Sequence, residues 1–313
     1  MRQHRRPVEG EPGGGGRSGE AQRLQPPPRS LWLPLLEQAL REDLGAGGDL
    51  TTEATVDPER NARVAIRARR AGGLAGLEPA VAAFALVDPA VRARPRRSDG
   101  QLLAAGSEVA EIEGPAAALL IGERTWLQRL GRLSGLATAT SELVGLVSAA
   151  GAKAQIVCTR KTTPGLRALE KYAVRCGGGH NHRFGLGDAI LIKDNHVALA
   201  GGIDAALERV FARVGHTVKV EIEVDTLEQL EQALRHPIDI VLLDNMSPDE
   251  LRTAVQLVRE HHQRSGHRVR TEASGGITPE TVADVARTGV DLISVGYLTH
   301  SAPALDLGLD FVA

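Results

Sequence analysis

The residues richest in chemistry lie between Thr159 and His196, where seven Lys or Arg stand against three acids, with His180, His182 and His196 among them. That is a local charge of +4 inside a chain of 313 residues whose formal net charge is -2. A solvated helix face accounts for Arg167, Lys171 and Arg175. It accounts poorly for Arg160, Lys161, Arg183 and Lys193, which follow short apolar runs or sit in a Gly-rich loop, where a β/α fold collects its binding groups. Guanidinium forks suit carboxylates and ammonium groups suit phosphates as compact point charges, so the pattern predicts a ligand that carries both.

Further along, Glu223 and Asp244 end runs that read as adjacent strands. They are either ion-pair partners for the lysines or ligands for ribose hydroxyls and for a Mg2+ ion carried by a diphosphate. Ser274-Gly275-Gly276 and Ser294-Val295-Gly296 follow the last two predicted strands. Glycine is common in any βα turn, but at these places in a barrel small residues expose backbone N–H groups to a phosphate, and a helix expected near Pro279 points its positive end the same way. His180 and His182 have neither a suitably spaced thiolate pair nor an HExxH helix beside them, so His182 is expected to hydrogen-bond rather than to hold a metal.

These side chains need a scaffold, and the hydrophobic pattern supplies it. Six short apolar runs, at 154–159, 189–194, 218–224, 238–245, 268–274 and 292–298, alternate with helical segments, as in a parallel β/α fold. An open doubly wound sheet shares that pattern. Polar or Gly-rich groups at nearly every strand end favour a barrel, whose strand ends converge on one mouth, and no GxGxxG follows the first run. Upstream, strand-like runs at 62–68 and 108–113 flank a helical segment at 77–86, and helical periodicity is nearly continuous from 117 to 150. Leu33, Leu36, Leu40 and Leu44 share a helical face behind Ser30, a candidate N-cap. The expectation is an α/β protein, a parallel β/α barrel preceded by a small α+β domain.

The composition, 42% hydrophobic and 24% charged, excludes a disordered, collagen-like or coiled-coil chain. Lys+Arg 37 against Asp+Glu 39 leaves no global cationic field for nucleic acid. Apolar stretches such as 81–87 and 116–121 fall short of the ~18 residues of a membrane span. Pro34 and Glu37 interrupt 31–36, which otherwise imitates a secretory signal. Cys158 and Cys176 form neither a disulfide framework nor a CxxC pair, which points to a cytoplasmic protein. Residues 1–29, with six Gly, five Pro and six Arg, are expected to be a disordered N-terminal extension, a solvated tail rather than a nucleic-acid arm because no aromatic side chains are interleaved.

Taken in order, Gly122-Glu123-Arg124-Thr125, Arg132-Leu133-Ser134-Gly135, the segment Thr159 to Gly165, the segment Gly177 to Arg183, Ile192 to His196, Leu243-Asp244-Asn245 and Glu272 to Ile277 resemble the quinolinate phosphoribosyltransferases, the carboxylating nicotinate-nucleotide pyrophosphorylases. The likeness runs from about Ser30 to the end of the chain. It implies an N-terminal α/β domain packed on an open, incomplete barrel, in a homodimer, or a higher oligomer, whose sites are completed by the neighbour. It also implies phosphoribosyl transfer from phosphoribosyl pyrophosphate, accompanied by Mg2+, to quinolinate with decarboxylation. By that resemblance Arg124 of the second subunit, Arg160, His182, Arg183 and Lys193 hold quinolinate, and Thr159 is a further substrate-binding residue. Lys161, Glu223, Asp244, Ser274, Gly275, Gly276, Ser294, Val295 and Gly296 hold phosphoribosyl pyrophosphate, and Lys161, Lys193, Glu223 and Asp244 carry the catalysis. Two positions depart from the family pattern: Cys158 stands where Asp is common, and Gln128 where Asn is.

The expected division is 30–128 for the N-terminal domain, 129–296 for the barrel and 297–313 for a tail returning to the N-terminal domain. Rival readings are a phosphoribosyltransferase of the same fold for another base, as in the family's molybdenum-transport-associated paralogues, a barrel lyase with Lys161 or Lys193 as a Schiff-base amine, and a nucleic-acid binder driven by the basic tail.

Overall fold

The protein is described by a computed structural model covering residues 24–312. The expectation for residues 1–23 lies outside the described residues. Helix α1 (Arg29–Leu44) starts behind Pro28, not at Ser30, and buries Trp32, Leu36 and Leu40 at spacings of four, with Leu33 and Leu44 only half-buried. The indole ring, the largest apolar surface in the segment, turns the helix towards itself. Trp32 Nε1 donates to the Pro27 carbonyl at 3.0 Å, and Leu24 packs on the core. The extension expected to reach residue 29 is therefore corrected at its end: 24–28 lie against the body because a buried indole N–H needs an acceptor.

The chain continues through α2 (Leu50–Thr55), β1 (Asn61–Ala68), β2 (Gly72–Gly73), α3 (Leu77–Val87), β3 (Arg92–Pro95), β4 (Leu102–Leu103) and β5 (Glu108–Pro115). Strands β3, β5 and β1 form an antiparallel sheet in which Val64 opposes Ile112 on the core side. Arg63, Arg94 and Arg96 reach Glu111 on the other, a charged face for solvent. The long helix α4 (Ala116–Ala149) follows, about 51 Å at 1.5 Å per residue. It is continuous across the boundary expected at 128/129.

Beyond α4 come β6 (Gln155–Val157), α5 (Arg167–Cys176), β7 (Ile190–Ile192), α6 (Asp194–Ala200), α7 (Ile203–Phe211), β8 (Val220–Val224), α8 (Leu227–Ala233), β9 (Ile240–Asp244), α9 (Pro248–Ser265), β10 (Arg270–Ser274), α10 (Val282–Arg287), β11 (Leu292–Ser294), α11 (Tyr297–His300) and β12 (Leu307–Phe311). Six of these strands form one parallel sheet in the order β6-β11-β10-β9-β8-β7. The first strand pairs with the last, which is barrel connectivity; a doubly wound sheet would hold its first strand in the middle. β6 and β7 stand at the two ends, so the barrel is open between its first two strands.

Side chains alternate along these strands. Val220, Ile222, Val224, Val241, Leu243, Ala273 and Ile293 turn outward and are buried under the helices. Glu221, Glu223, Leu242, Asp244, Glu272, Ser274 and Ser294 therefore share the inner face. One other expectation is adjusted. The helix expected near Pro279 begins at Val282, because Thr281 and Val282 both donate to the Thr278 carbonyl and close a tight turn over Pro279. Strand β12 pairs antiparallel with β1, Ile66 opposite Leu309, which brings the chain end to the N-terminal sheet. On its way the chain crosses α4 at Gly135, where a Cβ would lie 2.0 Å from the Pro303 carbonyl oxygen, so only glycine fits.

Candidate active site

A cleft of about 430 Å3 opens at the C-terminal ends of the barrel strands. Thr159, Arg160, Lys161, His182, Arg183, Lys193, Glu223, Asp244, Ser274 and Ser294 line it, joined by Leu191, Leu242 and Glu272. The structure thus brings together the charged residues singled out in the sequence, except one. Arg124 lies exposed on α4 and lines a separate cleft of about 640 Å3 with Gln128, Arg129, Thr163 and Pro164.

The loop after β6 carries Arg160 and Lys161 and is clamped from behind. Glu170 on α5 is fully buried; it accepts from Thr163 Oγ1 at 2.8 Å, Thr163 N at 3.0 Å and Arg132 Nη2 at 3.2 Å. Arg132 also donates to the carbonyls of Ala302 and Thr299, so α4, α5 and the segment after β11 hold one loop. A Cβ on Gly296 would sit 3.3 Å from Lys161 Cδ, which places the lysine stem across that turn.

Lys171 is not on a solvated face, as its helical spacing suggested. It is 2% exposed, and its ammonium donates to the His182 carbonyl at 2.9 Å and to Cys158 Sγ at 3.2 Å. Arg167 likewise turns inward, bridging Thr162 Oγ1 and the Phe184 carbonyl; only Arg175 is exposed as expected. Cys158 therefore occupies a meaningful position: its sulfur receives the buried ammonium and its S–H points at Asn181 Oδ1, 3.3 Å away. Cys176 sits apart, its thiol pushed up to about 12 by burial and by Asp99.

Arg160 and Arg183 face each other across the cleft wall, and the Nε of each is buried without a partner. Burial, then the charge of Arg160, holds the Arg183 guanidinium below its ordinary range. Two like charges with unspent donors at one spot are an anion site. Lys193 pairs with Glu223. Asp244, which lines the cleft, accepts at Oδ2 from Asn245 Nδ2 at 2.6 Å. The turn at Gly275 lies directly over Asn245: its φ is +93, and a Cβ would fall 2.1 Å from Asn245 Oδ1. At the other turn Val295 is buried and its N–H is already given to the Val157 carbonyl, so of Ser294-Val295-Gly296 it is not the valine amide that meets a phosphate.

His182 is held at both nitrogens. Nδ1 accepts from the Arg183 amide at 2.7 Å, and Nε2 donates to Glu221 Oε2 at 3.0 Å. Burial lowers its basicity, but the Glu221 bond and charge, with Glu272, outweigh this and leave it raised. Glu221 and Glu272 are 3% and 1% exposed, and Oε1 of each has no partner. Burial first, then the charge of Glu221, pushes the Glu272 carboxyl up to about 7. Neither glutamate was given a role from sequence, although each lies two residues before one that was, Glu223 and Ser274, on the same strand face.

An open β/α barrel whose mouth combines a guanidinium pair with unpartnered Nε donors, two lysines and two carboxylates defines a class, barrel proteins that bind small phosphorylated and carboxylated ligands. Residues 49–134 match the N-terminal domain and 136–310 the C-terminal domain of quinolinate phosphoribosyl transferase, and the chain belongs to that family. It is 44% identical over 276 residues to a probable nicotinate-nucleotide pyrophosphorylase (carboxylating) of Bacillus subtilis, covering 88% of this chain and 92% of that protein. It is 43% identical over 277 residues to the nicotinate-nucleotide pyrophosphorylase (carboxylating) of Mycobacterium leprae, covering 88% and 95%. The solved nicotinate-nucleotide pyrophosphorylase of Francisella tularensis superposes with a TM-score of 0.85 at 37% identity, covering 93% of this chain and 99% of that one.

Proposed function

We propose that the protein is a pentosyltransferase that joins the phosphoribosyl group of phosphoribosyl pyrophosphate to quinolinate and releases CO2, forming nicotinate mononucleotide and pyrophosphate in NAD biosynthesis. The observation that carries this reading is the Arg160/Arg183 pair with its unspent donors, set in one cleft with Lys161, Lys193, Glu223 and Asp244. Two adjacent carboxylates on a pyridine ring satisfy the guanidinium groups. That anchoring holds the ring nitrogen for attack on the ribose carbon as pyrophosphate leaves. Lys161 meets the negative charge that develops on the leaving group, and Glu223 and Asp244 face the ribose and its positive charge. Asp244 and Glu223 also suit the Mg2+ that accompanies a diphosphate, which we assign as part of the substrate. The pyridinium then takes up the electrons freed when the adjacent carboxylate departs as CO2. The named relatives favour quinolinate over another base. The Schiff-base reading loses support from Lys193, whose side-chain nitrogen is engaged in an ion pair with Glu223 rather than free to attack a carbonyl. The two free, buried cysteines fit a cytoplasmic setting.

The site is completed by a second copy of the chain, on this reading, because Arg124 opens on a different cleft from Lys161. One assay tests function and sharing together. Wild-type protein forms nicotinate mononucleotide from quinolinate and phosphoribosyl pyrophosphate, whereas Arg124→Ala and Lys161→Ala are each nearly inactive. An equal mixture of the two, allowed to exchange subunits, recovers about a quarter of wild-type activity, because half the dimers are mixed and each has one intact site. No product from wild type contradicts the function; no recovery with heterodimer confirmed by mass contradicts the shared site.

A further inference from the structure

Lys171 is a buried cation without a buried anion beside it. The side chain leaves α5 and is 2% exposed, yet among the described residues it forms no ion pair: its ammonium donates to the His182 carbonyl at 2.9 Å and to Cys158 Sγ at 3.2 Å. Cys158 is fully buried and directs its S–H at Asn181 Oδ1, so the sulfur meets the ammonium as a neutral thiol. The carboxylates around this loop are engaged elsewhere. Asp188 accepts from the amides of Phe184 and Gly185, Glu221 accepts from His182, and Glu170 is held by Thr163 and Arg132. An ammonium taken out of water without a counter-charge is costly, and that cost falls when a ligand brings negative charge close to it.

The position of this cation ties it to the substrate. Cys158 leads directly into Thr159-Arg160-Lys161, and His182 into Arg183. The Cys158 amide donates to the His180 carbonyl at 3.1 Å and Val157 bridges His180, so the end of β6 and the segment 180–183 lie side by side. The Lys171 ammonium stands at the joint of the two segments that carry the guanidinium pair, outside the lining of the cleft. We infer that Lys171 and Cys158 together set the affinity for quinolinate: a thiol partner leaves the ammonium its full charge, which adds to those of Arg160 and Arg183 in attracting the two carboxylates. The inference rests on the reading of the site given above. Neither residue touches the substrate. Lys171 is a positioning residue, acting through its charge and through the His182 carbonyl, and Cys158 matters because it does not neutralise that charge.

The test is the quinolinate KM of the full-length protein at saturating phosphoribosyl pyrophosphate, measured for wild type, Cys158→Asp and Cys158→Asn. The two variants share one shape and differ by one charge. A unit charge acting on a carboxylate over roughly 10 Å at an effective dielectric of about 20 changes binding about tenfold. Cys158→Asp therefore raises KM about tenfold with kcat little changed, whereas Cys158→Asn keeps the KM of wild type. A disturbance of packing would move both variants alike, so equal KM values for the two overturn the inference and leave the function intact. If Cys158→Asp does not fold, Lys171→Met takes its place and raises KM by a similar factor; an unchanged KM in that variant likewise overturns the inference. The ultraviolet absorbance of wild type against Cys158→Ser at neutral pH is a further check on the thiol. No thiolate band is expected, and its presence overturns the inference, because the ammonium would already be neutralised. Absence of quinolinate turnover by wild type overturns both this inference and the reading of the site.

Discussion

Nicotinate is turned over on the order of 10⁴-fold less efficiently than quinolinate when each is supplied with phosphoribosyl pyrophosphate, because a site built around a polar group rejects the analogue that lacks it. The structural cause is the wall formed by Arg160 and Arg183, each of which carries a buried Nε with no protein partner. Quinolinate offers two carboxylates to this pair. Nicotinate offers one, and leaves a guanidinium desolvated beside a like charge, the state that already holds Arg183 below its ordinary range. The comparison is kcat/KM for the two bases under the same conditions. Equal values would remove the arginine pair from substrate recognition.

Replacing Lys161 with alanine lowers turnover by on the order of 10² to 10³, the effect of removing one preorganised charge from a leaving group. The two lysines of the cleft are not equivalent. Lys193 is neutralised by Glu223, whereas Lys161 has no ion-pair partner among the described residues. Its side chain is exposed, and the loop that carries it is fixed from behind by Glu170 and Arg132, so the substitution leaves the fold and the melting temperature close to wild type. A loss in kcat with intact thermal stability identifies a role in the chemical step. Unchanged turnover and affinity would make Lys161 a bystander.

The strands of the barrel were legible because their outward faces are apolar and their ends are punctuated by charge or glycine. The same logic hid the residues beneath the substrate. A glutamate within an apolar run, such as Glu221 or Glu272, reads as a solvent-facing strand position, yet in a barrel with a polar mouth the alternating face turns inward. Lys171 was misread for the converse reason: helical spacing tells which residues share a face but not that the face covers the His182 loop. Residues 24–28 read as extension from their prolines, since composition cannot register one indole N–H that needs the Pro27 carbonyl. Arg124 was recognisable as a site residue by resemblance alone. Its place on a separate cleft follows from how α4 crosses the barrel, which no local pattern encodes.

The central claim is that one cleft both transfers the phosphoribosyl group and removes a particular carboxylate. Quinolinate carrying an isotopic label in the carboxylate adjacent to the ring nitrogen tests it most directly, beside a sample labelled in the other carboxylate. With phosphoribosyl pyrophosphate and Mg2+ present, the first label leaves as CO2 in step with pyrophosphate, and the second remains in nicotinate mononucleotide. CO2 release that does not depend on phosphoribosyl pyrophosphate, or release of the second label, would contradict the account.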